Sequence, residues 1–236
     1  MKNNILADHL DRYGISYEGS RLEQLERFYE LLIEKNKIMN LTAITEYDEV
    51  MTKHFLDSLM ILKYHSFSDG DRILDLGTGG GFPGIPLKIF LPETSFLLMD
   101  SVNKKLDFVS SVIEELGLKN IDVCHGRAED LARDKKYREK FDVVLSRAVA
   151  NLSTLSELSL GFVKVGGCFI SYKGSSGRKE LGDASKAIGL MGAAPEKEYE
   201  YDLPGGDKRS LFLIGKKTST PGTYPRKAGV PSKKPL

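Results

Sequence analysis

The chain has 236 residues, 41% of them hydrophobic and 28% charged, with a formal net charge of +1. This balance excludes wholesale disorder and suits one large α/β domain with an extension, since domains run to ~100–200 residues. Cys124 and Cys168 show no CxxC or Cys/His spacing, which excludes a zinc knuckle and a disulfide framework and points to a reducing cytoplasm. The opening MKNNILADHLDRYG lacks an apolar signal core, and no run reaches the ~18 apolar residues of a membrane span, so neither secretion nor membrane insertion is expected.

In chain order, residues 1–70 read as a helical extension. Ser20 and Glu23 form a capping-box pattern, followed by Leu22, Leu25, Phe28, Tyr29, Leu32 and Ile33 at helical spacing. A second amphipathic stretch after Asp48 carries Val50, Met51, Phe55, Leu59 and Leu62. Residues 71–215 then alternate strands (72–76, 95–99, 121–124, 141–146, 167–172, 211–214) with helices near 84–91, 103–116, 151–163 and 178–191. That rhythm predicts a parallel sheet covered on both faces. Residues 197–202 and 209–215, joined through LPGGDK, add a hairpin.

The last stretch, 216–236, holds Lys216, Lys217, Arg226, Lys227, Lys233 and Lys234 and no acid, a local charge of +6 that leaves −5 for the rest. With four of the nine prolines there, it reads as a flexible, extended basic arm without helix. It serves either as a solubilising end or as a grip on polyphosphate.

The most informative segment is RILDLGTGGGFPGIP at 72–86. An apolar strand runs into Gly77, Gly79 and Gly81, where the backbone can turn sharply and approach a ligand. The next strand ends at Asp100, placed to accept hydrogen bonds from both hydroxyls of a ribose. Gly79 to Gly84 satisfies GxGxxG, a weak match on its own. Three features favour S-adenosylmethionine over NAD. Asp75 would order the loop or face a cationic, amino-bearing ligand but repel a pyrophosphate. Phe82, Pro83 and Pro86 leave few free amides at the helix start. Ala128 beside Glu129 can hold an adenine edge.

Taken together, NKIMNLTAI (36–44), HFLDSL (54–59), DLGTGGGFPGIPL (75–87), MDSVNKKLDFV (99–109), GRAED (126–130), SRAVA (146–150) and YKG (172–174) resemble the RsmG (GidB) family of small-subunit ribosomal RNA guanine-N7 methyltransferases. The resemblance spans residues 36 to about 214, and the ending YPRKAGVPSKKPL is also similar to tails in that family. It implies a class I S-adenosylmethionine-dependent methyltransferase, Rossmann-like, with a mostly parallel seven-stranded sheet flanked by helices. The expected substrate is guanine 527 of 16S ribosomal RNA, free or in the small ribosomal subunit. It also implies that Gly77, Phe82, Ala128, Glu129 and Arg147 border the cofactor and that Asp100 binds ribose. A class I methyltransferase acting on a protein or small molecule is the alternative, and a nicotinamide-dependent oxidoreductase the third reading.

Guanine N7 has a lone pair and no proton at neutral pH, so no general base is expected, and catalysis would be mostly alignment. Arg147, after the fourth strand in Ser146-Arg147-Ala148, is the first candidate to orient the reactants; the competing reading is an ion pair with Asp130 or Asp142. His54, with Asp57 and Ser58, either lines the acceptor side or is a core histidine. Asn36, Lys37 and Asn40 would contact RNA phosphates or cap the first helix. Lys173, Arg226 and Lys227 are further RNA candidates. A monomer without metal is expected.

Overall fold

The apolar runs assemble into one sheet in a computed structural model that describes residues 5–147 and 150–236. Its strands are β1 (Arg72–Leu76), β2 (Ser95–Asp100), β3 (Ile121–His125), β4 (Phe141–Arg147), β5 (Val163–Lys173), β6 (Ala193–Asp202) and β7 (Lys208–Lys216). They lie in the order β3-β2-β1-β4-β5-β7-β6. The first five run parallel, while β7 pairs antiparallel with both β5 and β6. β1 and β4 are neighbours at the point where the strand order reverses, and ligands of open α/β sheets bind outside the carboxyl ends of the strands there.

Helices cover both faces because the inner strands are apolar on both sides. Ahead of the sheet come α1 (Ile5–Tyr13) and α2 (Gly19–Met39). A continuous winding follows, in which α3 (Tyr47–Val50) widens into a π-helical turn at Met51–Leu56, tightens as α4 (Asp57–Leu59) and ends as a 3-10 turn at Met60–Lys63. These pack with α5 (Gly84–Phe90) and α6 (Asn103–Glu115) around Phe28, Phe55, Ile85 and Phe108, all buried. The N-terminal helices thus share a core with one face of the sheet. The other face buries Leu74, Val144 and Phe169 against α8 (Leu152–Leu160) and α10 (Ser185–Leu190), with α7 (Ala128–Leu131) and α9 (Gly177–Asp183) beside them.

Two local expectations change. α2 begins at Gly19 with Glu18 as N-cap and no side-chain cap, so Ser20 lies inside the first turn and the capping box is not formed. The C-terminal stretch is not a free arm. Lys216 ends β7 and is buried, Thr220, Pro225 and Pro231 are buried, and Val230–Lys233 forms the short helix α11 with Pro231 in its first turn. Proline is tolerated there because an N-terminal N–H has no helical partner to lose.

Candidate functional site

After β1 the chain turns over Gly77, Gly79 and Gly81, whose φ values of 76°, 58° and 95° lie in the left-handed region. Asp100, at the end of the adjacent strand, ties this loop down. Its Oδ2 accepts from the Gly79 N–H and its Oδ1 from the Val102 N–H, both at 2.9 Å. A carboxylate has about four acceptor positions, so capacity remains for a diol. Asp75 is fully buried. Its Oδ2 accepts from the Gly84 N–H at 2.9 Å, whereas its Oδ1 and the neighbouring Thr78 Oγ1 have no hydrogen-bond partner. A buried acceptor left open in this way is uncommon, and Asp75 lies beneath the loop and lines neither of the cavities above it.

Burial pushes the Asp75 carboxyl up to about 6, against the opposing pull of the Gly84 N–H and the Arg147 charge, and Asp100 adds to the rise. Because the folded value lies above the unfolded one, the folded state favours the protonated acid. The associated stability is present below the ordinary carboxylate value and is lost as pH rises through about 6. Asp75→Asn is therefore expected to raise the unfolding free energy by up to about 3 kcal/mol at pH 7.5 and by little near pH 4. Urea denaturation at the two pH values checks this, and an equal change at both would refute it.

Two cavities meet over the glycine loop, sharing Gly77 and Lys105. The smaller, about 410 Å³, is lined by Asp100, Ala128 and Glu129 together with Leu76, Met99 and Leu158. The expected nucleoside-side residues are thus brought together. The larger, about 750 Å³, lies between the loop and the N-terminal helices and is lined by Leu41, His54, Asp57, Phe82, Arg147 and Tyr172, with Lys53, Lys173 and Arg209 at its walls.

Arg147 organises the larger cavity. One guanidinium nitrogen donates to Asp57 Oδ2 at 3.1 Å and to the Lys53 and His54 carbonyls at 3.3 Å; the other donates to His54 Nδ1 at 3.3 Å. The wide π-helical turn at Met51–Leu56 presents those carbonyls, and such turns are frequent at functional sites. An arginine only donates, so His54 Nδ1 must accept and the ring proton sits on Nε2, which reaches Thr42 Oγ1 at 2.8 Å. Burial, with the Arg147 charge beside it, pushes His54 down to about 3. The histidine is neutral and its basic nitrogen is occupied. Phe82 stacks on His54 at 4.7 Å and on Phe28 at 5.0 Å, with the Arg147 guanidinium 5.3 Å above its ring.

Arg147 thus pairs with Asp57, not with Asp130 or Asp142. Asp57 is also held by the Tyr201 hydroxyl at 2.9 Å and by Arg209 at 3.5 Å. Tyr201 and Arg209 are direct partners across the β6–β7 hairpin. Sequence reasoning did not find them; the only signal was the hairpin itself. Ser58 does not line the cavity, because its buried hydroxyl donates back to the His54 carbonyl.

The RNA candidates divide. The Asn36 amide is committed to both backbone groups of Thr42, which fixes the loop bearing Leu41. Asn40 is the left-handed C-cap of α2, and it and Lys37 are exposed. Lys173 lines the larger cavity but points inward, paired with Glu180 at 2.8 Å and donating to the Ala150 carbonyl. Arg226 is held bidentately by buried Glu157, so it is not a free charge, while Lys227 is exposed. Ala148, named after Arg147, lies outside the described residues. Among the described residues, no group of three His, Cys, Asp or Glu side chains is placed to hold a metal, and no helix is long and apolar enough to cross a membrane.

The sheet order, the left-handed glycine turn and the acid ending β2 define a class I methyltransferase fold. Solved structures agree: a SAM-dependent methyltransferase from Aquifex aeolicus aligns with a TM-score of 0.54 at 14% identity, covering 74% of this chain and 96% of that one. TrmN from Thermus thermophilus aligns at 0.53 and 18%, covering 70% and 53%. The chain belongs to the GidB family, described as rRNA small subunit methyltransferase G, whose profile matches residues 21–201. Curated relatives named ribosomal RNA small subunit methyltransferase G are 50% identical in Lachnoclostridium phytofermentans, over 99% of this chain and 97% of the relative, and 43% identical in Leuconostoc mesenteroides, over the full length of both.

Proposed function

We propose that this protein uses S-adenosylmethionine to methylate N7 of guanine 527 in 16S ribosomal RNA. The observation that carries the choice of atom is the state of His54 beside Arg147: neutral, with its basic nitrogen occupied. An exocyclic amine or a hydroxyl must lose a proton on methylation, whereas guanine N7 has none to lose, and a cavity whose histidine has its basic nitrogen so engaged suits it. Arg147 is itself spent on Asp57 and the His54 backbone, so it does not compete for N7 through the usual bidentate contact to O6 and N7.

The bound cofactor supplies an electrophilic methyl on a positively charged sulfur. The residues present fit it: the spare acceptor capacity of Asp100 suits its ribose, and Ala128 and Glu129, in the same cavity, its adenine. On the acceptor side, Lys53, Lys173 and Arg209 at the cavity wall are ion-paired with acids, while Lys105 lines both cavities and offers a charge to a polyanion. The RNA named in the relatives supports the same substrate class, and the reaction belongs where ribosomal subunits are made, in the cytoplasm. A cavity of about 750 Å³ has room for a base drawn out of its stack. Mapping 7-methylguanosine in small-subunit RNA from cells with and without the gene tests the proposal. Loss of one site at guanine 527 is expected, and an unchanged map would overturn it.

A further inference from the structure

The C-terminal segment is seated by side chains of the methyltransferase core. Arg133 donates to the Thr223 and Pro225 carbonyls, and Arg138 to those of Thr220 and Tyr224. Arg226 is fixed to Glu157 of α8 at 2.7 Å. Further along, the Gly229 N–H donates to Glu129 Oε1 at 2.8 Å, from a left-handed backbone with φ of 79°. Thr154 and Ser153 then donate to the carbonyls of Pro231 and Leu236. This path brings Ser232 into the wall of the smaller cavity, facing the space bounded by Asp100, Ala128, Glu129 and Leu158.

We infer that residues 228–236 form the outer wall of the nucleoside side of the site, and that affinity for the adenosine portion of the cofactor depends on them. The inference rests on the assignment of Asp100, Ala128 and Glu129 to the nucleoside. Glu129 has one carboxylate oxygen engaged by the Gly229 N–H, which fixes the rotamer of an acid that is only 7% exposed. Without the segment that acid turns to water, and the apolar side of the cavity at Leu158 opens to solvent. A flat heteroaromatic ring then loses one wall of its cavity and a preset acceptor. The chain leading into the segment is seated by its charges: Arg226 is consumed by Glu157, and Lys216 donates to the Leu160 carbonyl.

Two variants test the wall. Truncation after Lys227 removes Gly229 and Ser232 but keeps the Arg226–Glu157 pair and the acceptors for Arg133 and Arg138. Ser232→Phe keeps the whole segment and fills the cavity. Calorimetric titration with S-adenosylhomocysteine and with adenosine, alongside Asp100→Ala as reference, is expected to show at least a tenfold loss for both probes in both variants. The melting temperature of Ser232→Phe should stay at the native value. If Asp100→Ala binds weakly while both C-terminal variants bind as the native protein does, the wall is refuted and the nucleoside assignment stands. If Asp100→Ala also binds normally, the assignment itself fails.

Discussion

Replacing Arg147 with alanine is expected to abolish methyl transfer and to destabilise the fold together. The side chain is 12% exposed and its Asp57 partner 5%, so removing the guanidinium strands a buried carboxylate between the Tyr201 hydroxyl and a more distant Arg209. Breaking such a pair costs about 3–5 kcal/mol. His54 would also lose the donor that sets its tautomer, and with it the fixed orientation of the ring stacked on Phe82. Arg147→Lys separates the two effects. A lysine restores one charge opposite Asp57 but cannot span Asp57, two carbonyls and an imidazole at once. It should recover much of the stability while kcat/KM stays down by about a hundredfold, the scale expected of a small misplacement of reacting groups. Urea denaturation beside steady-state methylation of small-subunit RNA reads both, and native kcat/KM in Arg147→Lys would dismiss the positioning role.

Gly79→Val is expected to lose cofactor binding while remaining folded, and Gly81→Val to lose stability as well. A Cβ on Gly79 meets nothing nearer than the Gly77 carbonyl oxygen at 4.0 Å, so the new side chain projects into open ligand space. A β-branched residue at its φ of 58° also strains the turn by about 1–2 kcal/mol, pulling the Gly79 N–H away from Asp100. On Gly81 the same atom falls 2.5 Å from Ile85 Cδ1, inside the core beneath α5. Gly77→Val, at φ 76°, should behave like Gly79→Val. Circular dichroism and calorimetry with S-adenosylhomocysteine distinguish the classes; unimpaired binding in both Gly77→Val and Gly79→Val would remove the loop from the site.

The local part of this architecture was legible because local rules govern it. Strands at 72–76, 95–99 and 121–124 follow from apolar runs bounded by turn residues, and the positions of Asp75 and Asp100 follow from where those strands end. The acceptor side was only half legible. Arg147 and His54 stand out as polar residues beside apolar segments, but their mutual hydrogen bond joins positions 93 residues apart. Tyr201 and Arg209 have no local signature, since only the β7 insertion between β5 and β6 carries them to Asp57. The C-terminal segment was misread for a related reason. Prolines and lysines describe an extended chain in isolation, and they say nothing of Glu157, Arg133 and Arg138, which wait elsewhere in the sequence to bind it.

The β6–β7 hairpin sets an order of events during synthesis. Asp57 and Tyr201 are separated by 144 residues, so a nascent chain can build the glycine loop and its neighbouring strands long before the carboxylate meets all its partners. Until the hairpin docks, Arg147 is the one charged partner of Asp57 among the described residues, and the carboxylate lacks the Tyr201 hydroxyl and Arg209 that complete its burial. Contacts of such long separation form late because the loop entropy must be met first. A chain whose hairpin has not yet docked thus lacks two of the groups that hold Asp57, and the proposed acceptor cavity is incomplete until Tyr201 and Arg209 are in place.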